Sequence, residues 1–82
     1  MLLIDDEEDV RYSFQRIFDA PDMEVTTAAS GEEGLKVAAR LKPDLVIMAI
    51  RMGGVSGMET LRRMRQADPK QLVILMTAYG TT

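Results

Sequence analysis

The sequence predicts an open α/β domain, a four-stranded parallel sheet with helices crossing between consecutive strands. Two observations carry this. Four short apolar stretches alternate with three stretches whose apolar residues recur at helical spacing. The order β-α-β-α-β-α-β implies a parallel sheet with right-handed crossovers. Two of the apolar stretches, residues 45–48 and 72–76, show no polar alternation. That is the pattern of parallel strands covered on both faces.

Leu2, Leu3 and Ile4 form a first, very short strand, followed by Asp5-Asp6-Glu7-Glu8-Asp9. Val10, Phe14, Ile17 and Phe18 recur at helical spacing and predict a helix over 8–19, with its acids at the positive end of the helix dipole. Ala20-Pro21-Asp22 ends that helix. Residues 23–28, with Val25 and two β-branched threonines, read as the second strand. Ser30-Gly31-Glu32-Glu33 is a capping box that opens a second helix, and Pro43 stops it after about residue 42. Gly34, Ala38 and Leu41 give this helix a small-residue face suited to lying close to a sheet. Residues 45–48 are the third strand. Ser56-Gly57-Met58-Glu59 repeats the capping box, and Met58, Leu61, Met64 and the stem of Arg65 form the expected inward face of a third helix. Asp68-Pro69 turns the chain into a fourth strand over 72–76, and residues 77–82 form the tail. No repeat, linker or low-complexity tract divides residues 1–82, which read as one domain.

Composition narrows the function classes. The chain has 82 residues, no cysteine and no histidine. Disulfides and thiolate metal sites are excluded, and a histidine mechanism needs a partner's histidine. The net charge of −3 argues against direct nucleic-acid binding by this segment. Its apolar runs fall far short of a membrane span. Residues 1–4 run straight into acids, unlike a signal peptide. A soluble, cytoplasmic domain is the expectation. The seven methionines read as adaptable core filler, and Arg62, Arg63, Arg65 and Lys70 as a solvated face.

A parallel sheet brings the carboxyl ends of its strands to one edge, where open α/β sheets bind ligands. Asp5 and Asp6 end strand one, Ala49 ends strand three and Thr77 ends strand four. Two adjacent carboxylates are hard-oxygen donors of the kind Mg²⁺ takes, and a threonine hydroxyl can hydrogen-bond a phosphoryl oxygen. Each residue also has a plainer reading. The acids match a helix start, Thr77 is a β-branched strand residue, and Ala49 is a small core residue. The ordered combination on three strand ends favours a site.

Residues 2–11, Leu-Leu-Ile-Asp-Asp-Glu-Glu-Asp-Val-Arg, resemble the opening of a response-regulator receiver domain. Asp44-Leu45-Val46-Ile47-Met48-Ala49-Ile50-Arg51-Met52, with Gly54, Ser56 and Gly57, resembles its third strand and loop. Residues 73–82 resemble its fourth strand and the loop beyond, and are most similar to receivers of NtrC-type, sigma-54-dependent transcription activators. The resemblance implies a flavodoxin-like, CheY-like fold with strand order 2-1-3-4. It implies a phosphorelay in which a sensor histidine kinase donates a phosphoryl group to an aspartate ending strand three. By the same resemblance, Asp5 and Asp6 hold Mg²⁺, the backbone carbonyl of Arg51 adds a metal ligand, and Thr77 binds the phosphoryl group as a switch. Three departures stand out. Ala49 occupies the acceptor position, Gly53 replaces the family's proline, and the fourth helix, fifth strand with its lysine and fifth helix have no counterpart in these residues. The expectation is therefore a partial receiver domain, not an enzyme, with weak Mg²⁺ binding and no phosphorylation of the usual kind.

Two rival readings remain. A haloacid-dehalogenase-type phosphatase needs Asp-x-Asp, and this chain has Asp-Asp-Glu. An assembly module would carry the acidic pair as a vestige. The family's strand order leaves one helix to cover one whole sheet face. The apolar strands three and four, with strand four an open edge, then predict self-association.

Overall fold

The structure, a computed structural model, describes residues 1–18, 24–50 and 56–76. The expected end of the first helix at Asp19, the start of the second strand at Met23, Arg51, Gly53, and residues 77–82 with Thr77 lie outside the described residues. The elements are β1 (Leu2–Ile4), α1 (Glu8–Ile17), β2 (Thr26–Ala28), α2 (Gly31–Leu41), β3 (Leu45–Ala49), α3 (Gly57–Ala67) and β4 (Leu72–Met76). The strands form one sheet in the order β2-β1-β3-β4, and every pair is parallel. This is the flavodoxin-like order that the resemblance implied.

Burial follows the register. Leu2, Leu3 and Ile4 are fully buried because β1 lies inside the sheet. Leu2 stands beside Val46, and Ile4 beside Met48. These four join Ala28, Val37 of α2 and Met64 of α3 in one core cluster. Leu3 and Ile47 point to the opposite face, where α1 packs against β1. That helix buries none of its residues completely. Phe14 and Phe18 stack on each other with centroids 5.6 Å apart, while Ile17 is left exposed.

Two helices therefore cover one face and one covers the other. The consequence shows on β4. Val73 and Leu75 pack against the core cluster, whereas Leu72 is 64% exposed and Ile74 52% exposed. This is the bare apolar side expected where one helix must cover a whole sheet face: among the described residues, β4 is covered only on the face turned to α2 and α3.

Local chemistry explains the helices. Ser30 Oγ accepts from the Glu33 N–H at 3.1 Å, and Glu33 Oε1 accepts from the Ala29 N–H at 2.6 Å. The return bond thus reaches the residue before the cap rather than the cap itself. Lys42 closes α2 in the left-handed region, with φ of 49°. A Cβ on Gly34 would run into the Ile4 side chain, so α2 lies close on β1 as its small-residue face implied. Leu41 is a correction: it is exposed rather than packed. An eleven-residue helix is about 16 Å long. The three-residue strands beneath it reach only about 10 Å.

The inward face of α3 is a second correction. Ser56 Oγ accepts from the Glu59 N–H at 3.2 Å, as the capping box implied. Of the expected inward residues, Met64 is buried and Leu61 packs against the core cluster, whereas Met58 and Arg65 are exposed, and Gly57 and Thr60 are buried in their place. Thr60 can be buried because its hydroxyl donates to the Ser56 carbonyl at 2.9 Å, which leaves no unsatisfied polar atom. Gly31 of α2 packs directly on it. On the exposed side, hydrogen bonds from Arg62 and Arg63 hold the Glu59 carboxyl below its ordinary range. The basic residues Arg62, Arg63, Arg65 and Lys70 are all exposed, the solvated face expected of them.

β2 is shorter than expected and begins at Thr26. Its ladder partner β1 has only three residues, and the first pair is Leu2 with Thr26. β3 runs one residue further than expected, because Ala49 pairs with Met76.

Candidate functional site at the carboxyl edge of the sheet

Three strand ends meet at one edge. Ile4 lies level with Met48, and Met48 with Leu75. One residue further, Ala49 lies level with Met76. The Asp5 N–H donates to the Ala28 carbonyl at 3.0 Å, which carries the β1–β2 ladder one step past the strand. Asp5 therefore leaves β1 at the level of Ala49, on the sheet side that Ala49 shares.

Asp5 is 6% exposed. Its Oδ1 accepts from the Glu7 N–H at 2.9 Å and turns the chain into α1. Glu7, the N-cap of α1, makes no capping bond of its own. One oxygen of the Asp5 carboxylate is thus committed to the fold. Asp6 beside it is exposed, and Glu8 and Asp9 occupy the first helical turn. Arg11 Nη1 donates to the Asp5 carbonyl oxygen at 2.7 Å.

The β3 end is held from two sides. The Ile50 N–H donates to the Met76 carbonyl at 2.9 Å, and the Gly57 N–H donates to the Ile50 carbonyl at 2.8 Å. A Cβ on Gly57 would strike the Ala49 carbonyl oxygen and the Ile50 main chain. Only a residue without a side chain lets α3 begin this close to the strand.

Among the sequence-predicted site residues, the structure brings Asp5, Asp6 and Ala49 to one edge. Thr77 and Arg51 lie outside the described residues. Two residues of this edge escaped the sequence reading of the site. Arg11 closes the 2–11 stretch that resembles a receiver opening, and it is a basic residue in a helix opened by acids, but neither signal gave it a role at the edge. Gly57 belonged to a capping box and to the receiver-like loop, and neither showed its close approach to β3.

An open parallel sheet with acids on the loop after its first strand defines a class: an α/β domain that works at its carboxyl edge. The donor set is all hard oxygen and fits Mg²⁺, which binds through one or two carboxylates and keeps several waters. Among the described residues, no group of three or more His, Cys, Asp or Glu comes together. Ala49 presents a methyl group, which can neither attack a phosphorus atom nor hold a proton.

The family is more particular. The response regulator receiver domain matches residues 1–82, and the chain belongs to that family. Sporulation initiation phosphotransferase F of Bacillus subtilis (strain 168) is 34% identical over 80 residues, which cover 98% of this chain and 64% of that protein. Regulatory protein AtoC of Escherichia coli (strain K12) is 38% identical over 80 residues, covering 98% of this chain and 17% of AtoC. The structure of response regulator protein TrrA from Thermotoga maritima in complex with Mg²⁺ and BeF has a TM-score of 0.89 and 37% identity, covering 96% of this chain and 69% of that one. The chain spans less than two thirds of the curated relatives named here.

Receiver domains are signalling modules of two-component systems; they bind Mg²⁺ and interact with sensor histidine kinases. This membership leaves the phosphatase alternative without support. No helix among the described residues is long and apolar enough to cross a membrane.

Proposed function

We propose that this receiver domain serves a phosphorelay controlling transcription and that it does not itself accept a phosphoryl group. Asp5 and Asp6 hold a weakly bound Mg²⁺ together with the carbonyl of Arg51, and Thr77 matches the residue that binds the phosphoryl group in receivers that accept one. A sensor histidine kinase is the partner. The transcriptional role is supported by relatives such as AtoC and the DNA-binding transcriptional regulator NtrC of Klebsiella pneumoniae, 32% identical over 78 residues. One observation carries the rest. Ala49 ends β3 at the level where Asp5 leaves β1. Transfer from a phosphohistidine breaks a P–N bond and forms a P–O bond to a carboxylate oxygen. At Ala49 no such oxygen exists.

Incubation with acetyl phosphate and Mg²⁺ is therefore expected to leave the intact mass of the chain unchanged. A stable adduct of one phosphoryl group on an aspartate would sink this reading. Charge stabilisation alone does not replace a missing nucleophile.

A second reading concerns self-association, and the exposure of Leu72 and Ile74 favours it. Among the described residues, β4 pairs only with β3, so its outer edge offers unpaired backbone groups beside an apolar face. Two copies can join β4 to β4 about a twofold axis. Light scattering at micromolar concentration should show a dimer or larger species. Ile74→Lys should return it to monomer, because a charge on that face opposes edge pairing. A well-folded monomer of the unsubstituted chain would defeat this reading.

A further inference from the structure

Arg11 is a basic group that the structure ties to the acidic turn. Its Nη1 lies 2.7 Å from the Asp5 carbonyl oxygen. The bond fastens a guanidinium to the peptide joining Asp5 and Asp6, beside five consecutive acids. Asp5 is buried and Arg11 is half-buried. Water and salt screen such charges less than they screen fully exposed ones. A guanidinium does not lose its proton in a protein, so the charge is permanent.

We propose that Arg11 is a built-in counter-charge to the acidic turn, one that stabilises the turn without a divalent cation and competes with the cation when it binds. The inference rests on reading Asp5 and Asp6 as the cation site. The argument is one of linkage. Arg11 and Mg²⁺ both lower the energy of the same negative charge, so each contributes less when the other is present. With Ala49 supplying no carboxylate from β3, Arg11 and the cation share a smaller negative charge than in a site with a third acid, so the competition is felt more strongly. Arg11 is a positioning residue: it touches the backbone of the site through the Asp5 carbonyl.

Two substitutions separate its charge from its hydrogen bond. Arg11→Gln keeps N–H donors and removes the charge, while Arg11→Lys keeps the charge and removes the planar fork. Circular dichroism establishes that each is folded. Melting temperature and calorimetric titration with MgCl₂ alone, at low ionic strength, are then compared with the unsubstituted chain. Arg11→Gln is expected to melt lower without metal and to bind Mg²⁺ roughly fivefold tighter or more, the low end of ordinary coupling between sites. Arg11→Lys is expected to stay near the unsubstituted chain in Mg²⁺ affinity. Unchanged or weaker Mg²⁺ binding in Arg11→Gln, beside a clear response in the unsubstituted chain, overturns the counter-charge alone. No Mg²⁺ response in any of the three proteins overturns it together with the cation site.

Discussion

Gly57→Ala is expected to destabilise the domain by about 3 kcal/mol, the upper end for overpacking a tight contact. Two effects oppose each other at this position. Alanine in place of glycine near a helix start reduces the freedom of the unfolded chain and gains up to about 1 kcal/mol. Against that, the new methyl would overlap the Ala49 carbonyl and the Ile50 main chain. Backbone cannot rotate aside as a side chain can. Either β3 shifts or α3 does, and the Gly57-to-Ile50 hydrogen bond is lost with the move. For a domain of this size the loss corresponds to a drop in melting temperature of roughly 12–24 °C. Gly34→Ala supplies the internal comparison. Its methyl would meet the Ile4 side chain rather than backbone, and a side chain can shift more readily, so the cost should be smaller. Thermal unfolding followed by circular dichroism measures both. A neutral or stabilising Gly57→Ala would show that the close approach of α3 to β3 is not a constraint.

Ala49→Asp is expected to lower stability without Mg²⁺ by about 1–3 kcal/mol, the ordinary range for a single unfavourable substitution. The new carboxylate would stand level with the buried Asp5 at the sheet edge. Like charges brought together in a partly buried place disfavour ionisation of both. A divalent cation reverses the sign, because a third carboxylate completes a cluster that two form poorly. Added Mg²⁺ should then recover part of the loss in Ala49→Asp and change the unsubstituted chain little. Melting curves at low salt, with and without Mg²⁺, provide the measurement. Identical curves for the two chains under both conditions would contradict the placement of Ala49 beside the acidic pair.

The placement of Asp5, Asp6 and Ala49 in the candidate site was legible in the sequence because they lie at ends of elements, and ends are marked locally. Asp5 and Asp6 follow the last apolar residue of β1. Ser30 and Ser56 mark helix starts by residue type alone, and both side chains accept the bonds those types imply. The face of α3 was only partly legible: Leu61 and Met64 do face the core, but Met58 does not. Met58, Leu61 and Met64 form an apolar stripe at helical spacing, and Gly57, Thr60 and Met64 share a neighbouring stripe of mostly small residues. The rotation of the helix depends on which residues can approach the neighbouring backbone. Gly57 can reach the end of β3 and Thr60 can meet Gly31, so the helix turns toward the second stripe and leaves Met58 outside. Hydrophobicity ranks Met58 above Thr60, yet a threonine whose hydroxyl bonds its own helix packs without that cost.

The sequence by itself determined the order of elements, the parallel sense of the sheet and the residues that arrive at its carboxyl edge. Those follow from periodicity, caps and the geometric rule that crossovers return strands in one direction. Only the tertiary structure decided which apolar residues are covered. Leu72, Val73, Ile74 and Leu75 are alike in hydropathy, and neighbours alone separate them: Val73 and Leu75 meet the core beneath α2 and α3, while Leu72 and Ile74 face the side where α1 packs on β1. It also decided what Arg11 does. A hydrogen bond across six residues, from a helix back to the strand end before it, forms only once α1 docks on β1 and turns that side chain toward Asp5.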